Sequence, residues 1–149
     1  MSPPSPELAK KEQTMVNLGV AGMGYIGRIH LEATQKICEA RVLAVATRRP
    51  EEILSTLLDL QTYSTYHGLF RDDRLDAVLI CLPTYLHEKA VVAAAKCGRH
   101  ILCEKSMALD AASAQRMLQA AQANARIFMV AHILRFWPQH ADQGTGRSR

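Results

Sequence analysis

The sequence has no Cys-x-x-Cys pair. Its four cysteines, Cys38, Cys81, Cys97 and Cys103, are scattered, and no His/Cys cluster has zinc spacing. Each lies in apolar sequence, which predicts four buried free thiols and suits a reducing, cytoplasmic compartment. No uninterrupted apolar run approaches the length of a membrane span. Residues 1–14 lack the apolar core of a secretion signal and read as a disordered tail. No block of five or more like charges occurs, so a net charge of +4 and a pI near 9.0 describe a mildly basic soluble surface, not a nucleic-acid binder. No Ser/His/Asp triad, metal cluster or solenoid-type repeat can be drawn.

What is present suits one domain with a real core: 149 residues, 48% of them hydrophobic. Its most informative stretch is Val16 to His30, an apolar strand, a glycine turn and the first turns of a helix. The turn holds Gly22, Gly24 and Gly27 in a Gly-x-Gly-x-x-Gly pattern. Gly22 permits the tight turn, Gly24 lets backbone approach a pyrophosphate, and Gly27 lets the helix pack close to a sheet. Met23, Tyr25 and Ile26 complete the cradle, and the helix N-terminus offers free N–H groups to phosphates. The alternatives are a purely structural turn or another nucleotide ligand.

Strand and helix patterns alternate from there. Ile26, His30, Ala33 and Ile37 share one face of the first helix, with His30 packed or half-buried. Arg41–Ala46 is a second, doubly covered strand. Pro50 starts a helix with Ile53, Leu54, Leu57 and Leu58 as its stripe. A short third strand lies within Gln61–Tyr66, and Asp72-Asp73-Arg74 is a polar connection. Asp76–Leu82 is a buried strand ended by Pro83. Thr84 caps a helix with Leu86, Ala90, Val91 and Ala94 inward, terminated by Gly98. Arg99–Cys103 is a fifth strand. Asp110 caps a helix from Ala111 to about Ala123, and Arg126–Ala131 is a sixth strand. The expected fold is α/β, a doubly wound, mostly parallel six-stranded sheet of the Rossmann type over residues 15–138. Residues 139–149 read as a polar tail.

Ligands of such sheets bind outside the carboxyl ends of the strands. The glycine turn, Thr47-Arg48, Leu82-Pro83-Thr84, Glu104-Lys105 and the stretch from His132 to Arg135 all fall there by strand order. An acid about 20 residues beyond the glycines would hold the ribose 2′-OH of NAD. Thr47 stands there instead, followed by Arg48 and Arg49. Arg48 could clamp a 2′-phosphate through charge-assisted hydrogen bonds worth ~1.5–3 kcal/mol each. That selects NADP over NAD, with NAD the alternative if both arginines are solvated loop charges. The missing acid also disfavours a methyltransferase. Lys105 suits a general acid/base or an electrostatic stabiliser of a developing alkoxide. Glu104 could orient a cofactor or a neighbouring group. The bland alternative is a solvated Glu-Lys pair, and for His87 a local cap or packing residue.

Three segments resemble the N-terminal domain of the glucose–fructose oxidoreductase / inositol 2-dehydrogenase / rhizopine-catabolism (Gfo/Idh/MocA) family. They run from Gly19 to Gly27, from Asp76 to His87 and from Gly98 to Ser106. His132 to Pro138 resembles the family's crossing into its second domain. The resemblance implies NAD(P)-dependent hydride transfer to or from a sugar, polyol or related alcohol. It implies that Lys105 is the active-site lysine of the Glu-Lys-Pro motif. It also implies that Glu104, Leu82, Pro83, Thr84 and His87 lie near the nicotinamide half.

Two departures stand out. Ser106 replaces the motif's proline, which would have fixed φ, so the Lys105 loop is expected to be less rigid. No stretch of these 149 residues resembles the family's substrate domain, with its expected Asp and His, and His140 and Asp142 are expected to be poor substitutes. A truncated, NADP-binding chain is therefore expected, inactive alone and acting on a sugar or polyol only if a second domain is supplied. The alternative is a non-catalytic cofactor module or inactive fragment. An apolar surface including Phe136 and Trp137 is expected to promote self-association.

Overall fold

A computed structural model describes residues 15–51 and 59–133. Six strands and four helices are described: β1 (Val16–Ala21), α1 (Tyr25–Thr34), β2 (Ala40–Ala46), β3 (Gln61–Tyr63), α2 (Tyr66–Phe70), β4 (Ala77–Ile80), α3 (Thr84–Lys96), β5 (His100–Cys103), α4 (Ala111–Ala123) and β6 (Phe128–Val130). The strands form one sheet in the order β3-β2-β1-β4-β5-β6. All its pairings are parallel. The expected α/β Rossmann sheet is therefore present. The order reverses between β1 and β4, the place where a doubly wound sheet opens its ligand crevice.

Alternation along the strands builds two cores. Val20, Val45 and Leu79 face one side and pack with Met23 and with Leu31 of α1. Ala21, Ala44, Ala46, Val78 and Ile80 face the other, against Leu69, Phe70, Ala90, Val91, Ala94 and Met117 from α2, α3 and α4. Small alanines at the strand ends let that second helical layer approach closely. Fully burying a side chain such as Leu69 or Phe70 is worth roughly 1.5–3 kcal/mol.

Several local expectations hold in detail. The Asp110 carboxylate accepts the Ser113 N–H at 2.7 Å and starts α4 at Ala111. Gly98 takes φ +75° just after α3, where a side chain would be strained. Others need correction. The buried face of α1 is Gly27, Leu31 and Thr34, while Ile26, Ala33 and Ile37 are exposed. Packing at the glycine turn sets that face, and apolar spacing does not see it. Thr84 is the first residue of α3, not its cap; Pro83 takes the cap position without a side-chain bond. Cys38 is exposed and only Cys103 is fully buried, although all four thiols are free. The short helix α2, capped by Thr65, fills the stretch between the third strand and the polar connection, for which the sequence pattern predicts no element.

The polar connection at Asp72 is partly buried. Asp72 accepts hydrogen bonds from Arg74 and from the Tyr63 hydroxyl. Buried Arg99 donates to the carbonyls of Phe70 and Leu75 at 2.9 and 2.6 Å and to Asp73. Guanidinium geometry thus satisfies carbonyls that the turn after α2 would leave unpaired. The stripe from Ile53 to Leu58, both tails, and Phe136 and Trp137 lie outside the described residues. No helix among the described residues is long and apolar enough to cross a membrane.

Candidate functional site

The sheet's hydrogen bonding continues past the strand ends and aligns the connections in one row. Thr47 N–H donates to Tyr63 O at 2.9 Å, and Gly22 N–H to Ala46 O at 3.0 Å. Cys81 N–H donates to Ala21 O at 2.8 Å, Glu104 N–H to Ile80 O at 2.9 Å, and Ala131 N–H to Cys103 O at 2.9 Å. The residues following β1, β2, β4 and β5 therefore share one edge.

At its centre is the glycine turn. Gly22 has φ +96°, and a Cβ there would stand 2.6 Å from the Cys81 carbonyl oxygen. A side chain on Gly27 would collide with the Gly22 carbonyl. Around Gly24 nothing lies within 4 Å of such an atom, so the backbone there is open. Gly24 is the N-cap of α1 without a side-chain cap, and the first turn carries no acid. An anion would meet uncapped N–H groups and the positive end of the helix dipole. These features fit a bound pyrophosphate: two glycines forced by packing and one leaving room. Met23 is buried beneath the turn, while Tyr25 and Ile26 are exposed beside it.

Beyond β2, Thr47 is half-buried and its hydroxyl accepts the Arg49 N–H at 3.1 Å. This small turn leaves Arg48 exposed. On the other side of the switch point, Leu82 is half-buried, Pro83 exposed and Thr84 intermediate. His87 is wholly buried. Its Nε2 lies 2.7 Å from the Leu82 carbonyl and its Nδ1 2.8 Å from that of Ser106. The imidazole thus bridges the loop after β4 and the loop after β5, and exposes no ring atom to a ligand.

Glu104 is buried, while Lys105 and Ser106 are exposed, joined by a cis peptide. The Glu104 carboxylate meets His30 Nε2 at 2.7 Å and accepts the Lys105 N–H at 3.1 Å. Burial pushes the thiols of Cys81 and Cys103 up to about 12, with the Glu104 charge adding. Both therefore remain protonated near neutrality and are poor nucleophiles. Among the described residues no group of three His, Cys, Asp or Glu could hold a metal ion. His132 and Ile133 are exposed just beyond this edge; Leu134 and Arg135 lie outside the described residues. No sequence signal marks the His30–Glu104 contact, which joins positions 74 apart. The partners lie on different elements that only the fold brings together.

Comparison with known proteins agrees with this geometry. The family model for the oxidoreductase family with an NAD-binding Rossmann fold (GFO_IDH_MocA) matches residues 16–132. A myo-inositol 2-dehydrogenase of Thermotoga maritima is 35% identical over 107 residues, 70% of this chain and 32% of that protein. A 2,7-anhydro-N-acetylneuraminate hydratase of Escherichia coli K12 is 30% identical over 123 residues, 83% of this chain and 33% of that protein. The crystal structure of apo scyllo-inositol dehydrogenase from Lactobacillus casei superposes with a TM-score of 0.80 at 25% identity, covering 88% of this chain and 41% of that one. The chain spans about a third of the length of the curated relatives it matches.

Proposed function

The chain belongs to the Gfo/Idh/MocA oxidoreductase family through its NAD(P)-binding Rossmann domain, and we propose that it binds NADP in preference to NAD and serves hydride transfer to or from a carbohydrate hydroxyl or carbonyl. The observation that carries the reading is the single edge on which the glycine turn, Thr47 and Glu104 align. NADP, when bound, supplies the hydride acceptor or, reduced, the hydride donor.

The residues of this chain divide the remaining work. Gly22, Gly24 and Gly27, with Met23, Tyr25 and Ile26, present backbone N–H groups to the pyrophosphate. Arg48 is exposed, beside the half-buried Thr47, and supplies the charge that a 2′-phosphate requires. Leu82, Pro83 and Thr84 border the nicotinamide half. Lys105 takes the proton of the reacting hydroxyl in oxidation and returns it to the carbonyl oxygen in reduction. His87 and Glu104 act on the loops: one bridges two carbonyls beneath them, the other holds the Lys105 backbone.

The reaction is proposed for a protein in which a substrate domain accompanies this one, because these relatives are about three times as long as the stretch matched here. Inositol dehydrogenases among the relatives favour a polyol. A hydratase among them shows that this domain type also serves other sugar chemistry. The test is a titration of the chain with NADP and with NAD, followed by assays over sugars and polyols. Tighter binding of NAD would overturn the NADP assignment, and sugar turnover by the chain alone would overturn the need for a partner domain.

A further inference from the structure

One buried carboxylate ties the loop bearing Lys105 to the helix that follows the glycine turn. Glu104 is 7% exposed and uses both oxygens. Oε1 lies 2.7 Å from His30 Nε2, and Oε2 accepts the Lys105 N–H. His30 sits on α1, half-buried, one turn beyond Ile26, and its backbone carbonyl accepts the Thr34 hydroxyl at 2.8 Å. Nothing in the proposed reaction uses His30 directly. A buried carboxylate that loses a partner rotates toward another or stays unpaired at a cost. Rotation would carry Oε2 away from the Lys105 N–H.

We propose that His30 is a positioning residue for the reactive edge. Through Glu104 it holds the Lys105 backbone against α1, so the phosphate-facing helix and the lysine loop move as one unit. This deepens the oxidoreductase reading and rests on it for the role of Lys105.

The test compares the 149-residue chain with His30→Ala and His30→Gln. Glutamine still offers an N–H donor toward Glu104; alanine offers none. Amide hydrogen exchange is followed by NMR at Lys105 and, as controls, at Leu79 and Leu31. In His30→Ala the Lys105 amide is expected to exchange about tenfold faster or more, the factor that one charge-assisted hydrogen bond represents. The controls stay put, and His30→Gln restores most of the protection. If His30→Ala does not fold, His30→Leu keeps the packing volume and removes only the donor.

A second arm measures affinity for NADP and for 2′,5′-ADP, which lacks the nicotinamide half. His30→Ala is expected to weaken NADP by about tenfold and to leave 2′,5′-ADP within about twofold. An unprotected Lys105 amide in the wild type would overturn the proposal. So would unchanged Lys105 exchange in His30→Ala, uniform loosening without rescue by glutamine, or equal weakening of both nucleotides. Failure of the wild type to bind either nucleotide would instead remove the cofactor reading, and the exchange data would still decide the His30 tether.

Discussion

The Gly22 carbonyl oxygen stands where a side chain of Gly27 would have to be. The contact records how closely α1 crosses the end of β1, and it separates the roles of two glycines in one motif. Gly27→Ala must displace backbone and is expected to cost about 1–3 kcal/mol of stability. Gly24→Ala meets nothing within 4 Å and should change stability by no more than about 1 kcal/mol, yet weaken dinucleotide binding about tenfold by filling the pyrophosphate approach. Urea denaturation and a nucleotide titration on both variants check the pair. Unchanged NADP binding in Gly24→Ala would remove the turn from the binding site.

The proposed preference for NADP over NAD rests on Arg48. Arg48→Ala is expected to weaken NADP by roughly ten- to hundredfold, equivalent to one charge-assisted contact of ~1.5–3 kcal/mol, and to leave NAD within about twofold. Isothermal titration with both nucleotides measures this. Equal effects on the two would mean that Arg48 is a solvated loop charge.

The His87 ring nitrogens face carbonyls on two loops, and the ring N–H donates to one of them. Replacing His87 by alanine removes that partner from Leu82 O and Ser106 O and leaves a cavity where the fully buried ring stood. The expected loss is about 2–4 kcal/mol, read as a lower urea midpoint at an unchanged m-value. A near-neutral His87→Ala would show that water or a local shift replaces the bridge.

Asp72 makes stability fall in acid. Side-chain hydrogen bonds from Arg74, with the Arg74 N–H and the Tyr63 hydroxyl, hold its carboxyl down to about 2. A carboxyl depressed on folding stabilises the protein above its unfolded value near 4, and the contribution disappears as pH falls from about 4 through 2. On the order of 1–2 kcal/mol is expected to be lost over that window and to be absent in Asp72→Asn. Glu88, also held down to about 2 by Arg116, titrates in the same range. The difference between wild type and Asp72→Asn isolates Asp72. Identical acid profiles would contradict the assignment.

Much of the fold was legible because local chemistry and global placement agree. Asp110 caps α4, Gly98 ends α3 in the left-handed region, and the apolar run from Val78 to Ile80 is a central strand. The face of α1 was misread by one residue. A glycine and a threonine occupy buried positions there, while Ile26, Ala33 and Ile37 point outward, so hydrophobic spacing indicates the wrong side. The helix α2 is five residues long, too short for a periodic pattern to register.

In the site, the Gly22–Gly27 turn was legible because each glycine has a separate steric reason. The environments of His87, Arg99 and Asp72 were not. Polar residues in a single sequence read as surface, and burial becomes favourable only when the fold supplies partners such as Ser106 O or Leu75 O. The His30–Glu104 contact spans four intervening strands of sequence, and no local pattern announces it.

The edge around Gly22 is proposed to hold a nicotinamide dinucleotide, NADP before NAD. Thermal or chemical denaturation of the 149-residue chain with increasing NADP, and separately with NAD, tests it most directly. At one hundred times its Kd, NADP is expected to stabilise the fold by ~2.7 kcal/mol, and NAD should need a higher concentration for the same shift. Unchanged stability with both nucleotides at millimolar concentration would mean that this edge is no dinucleotide site.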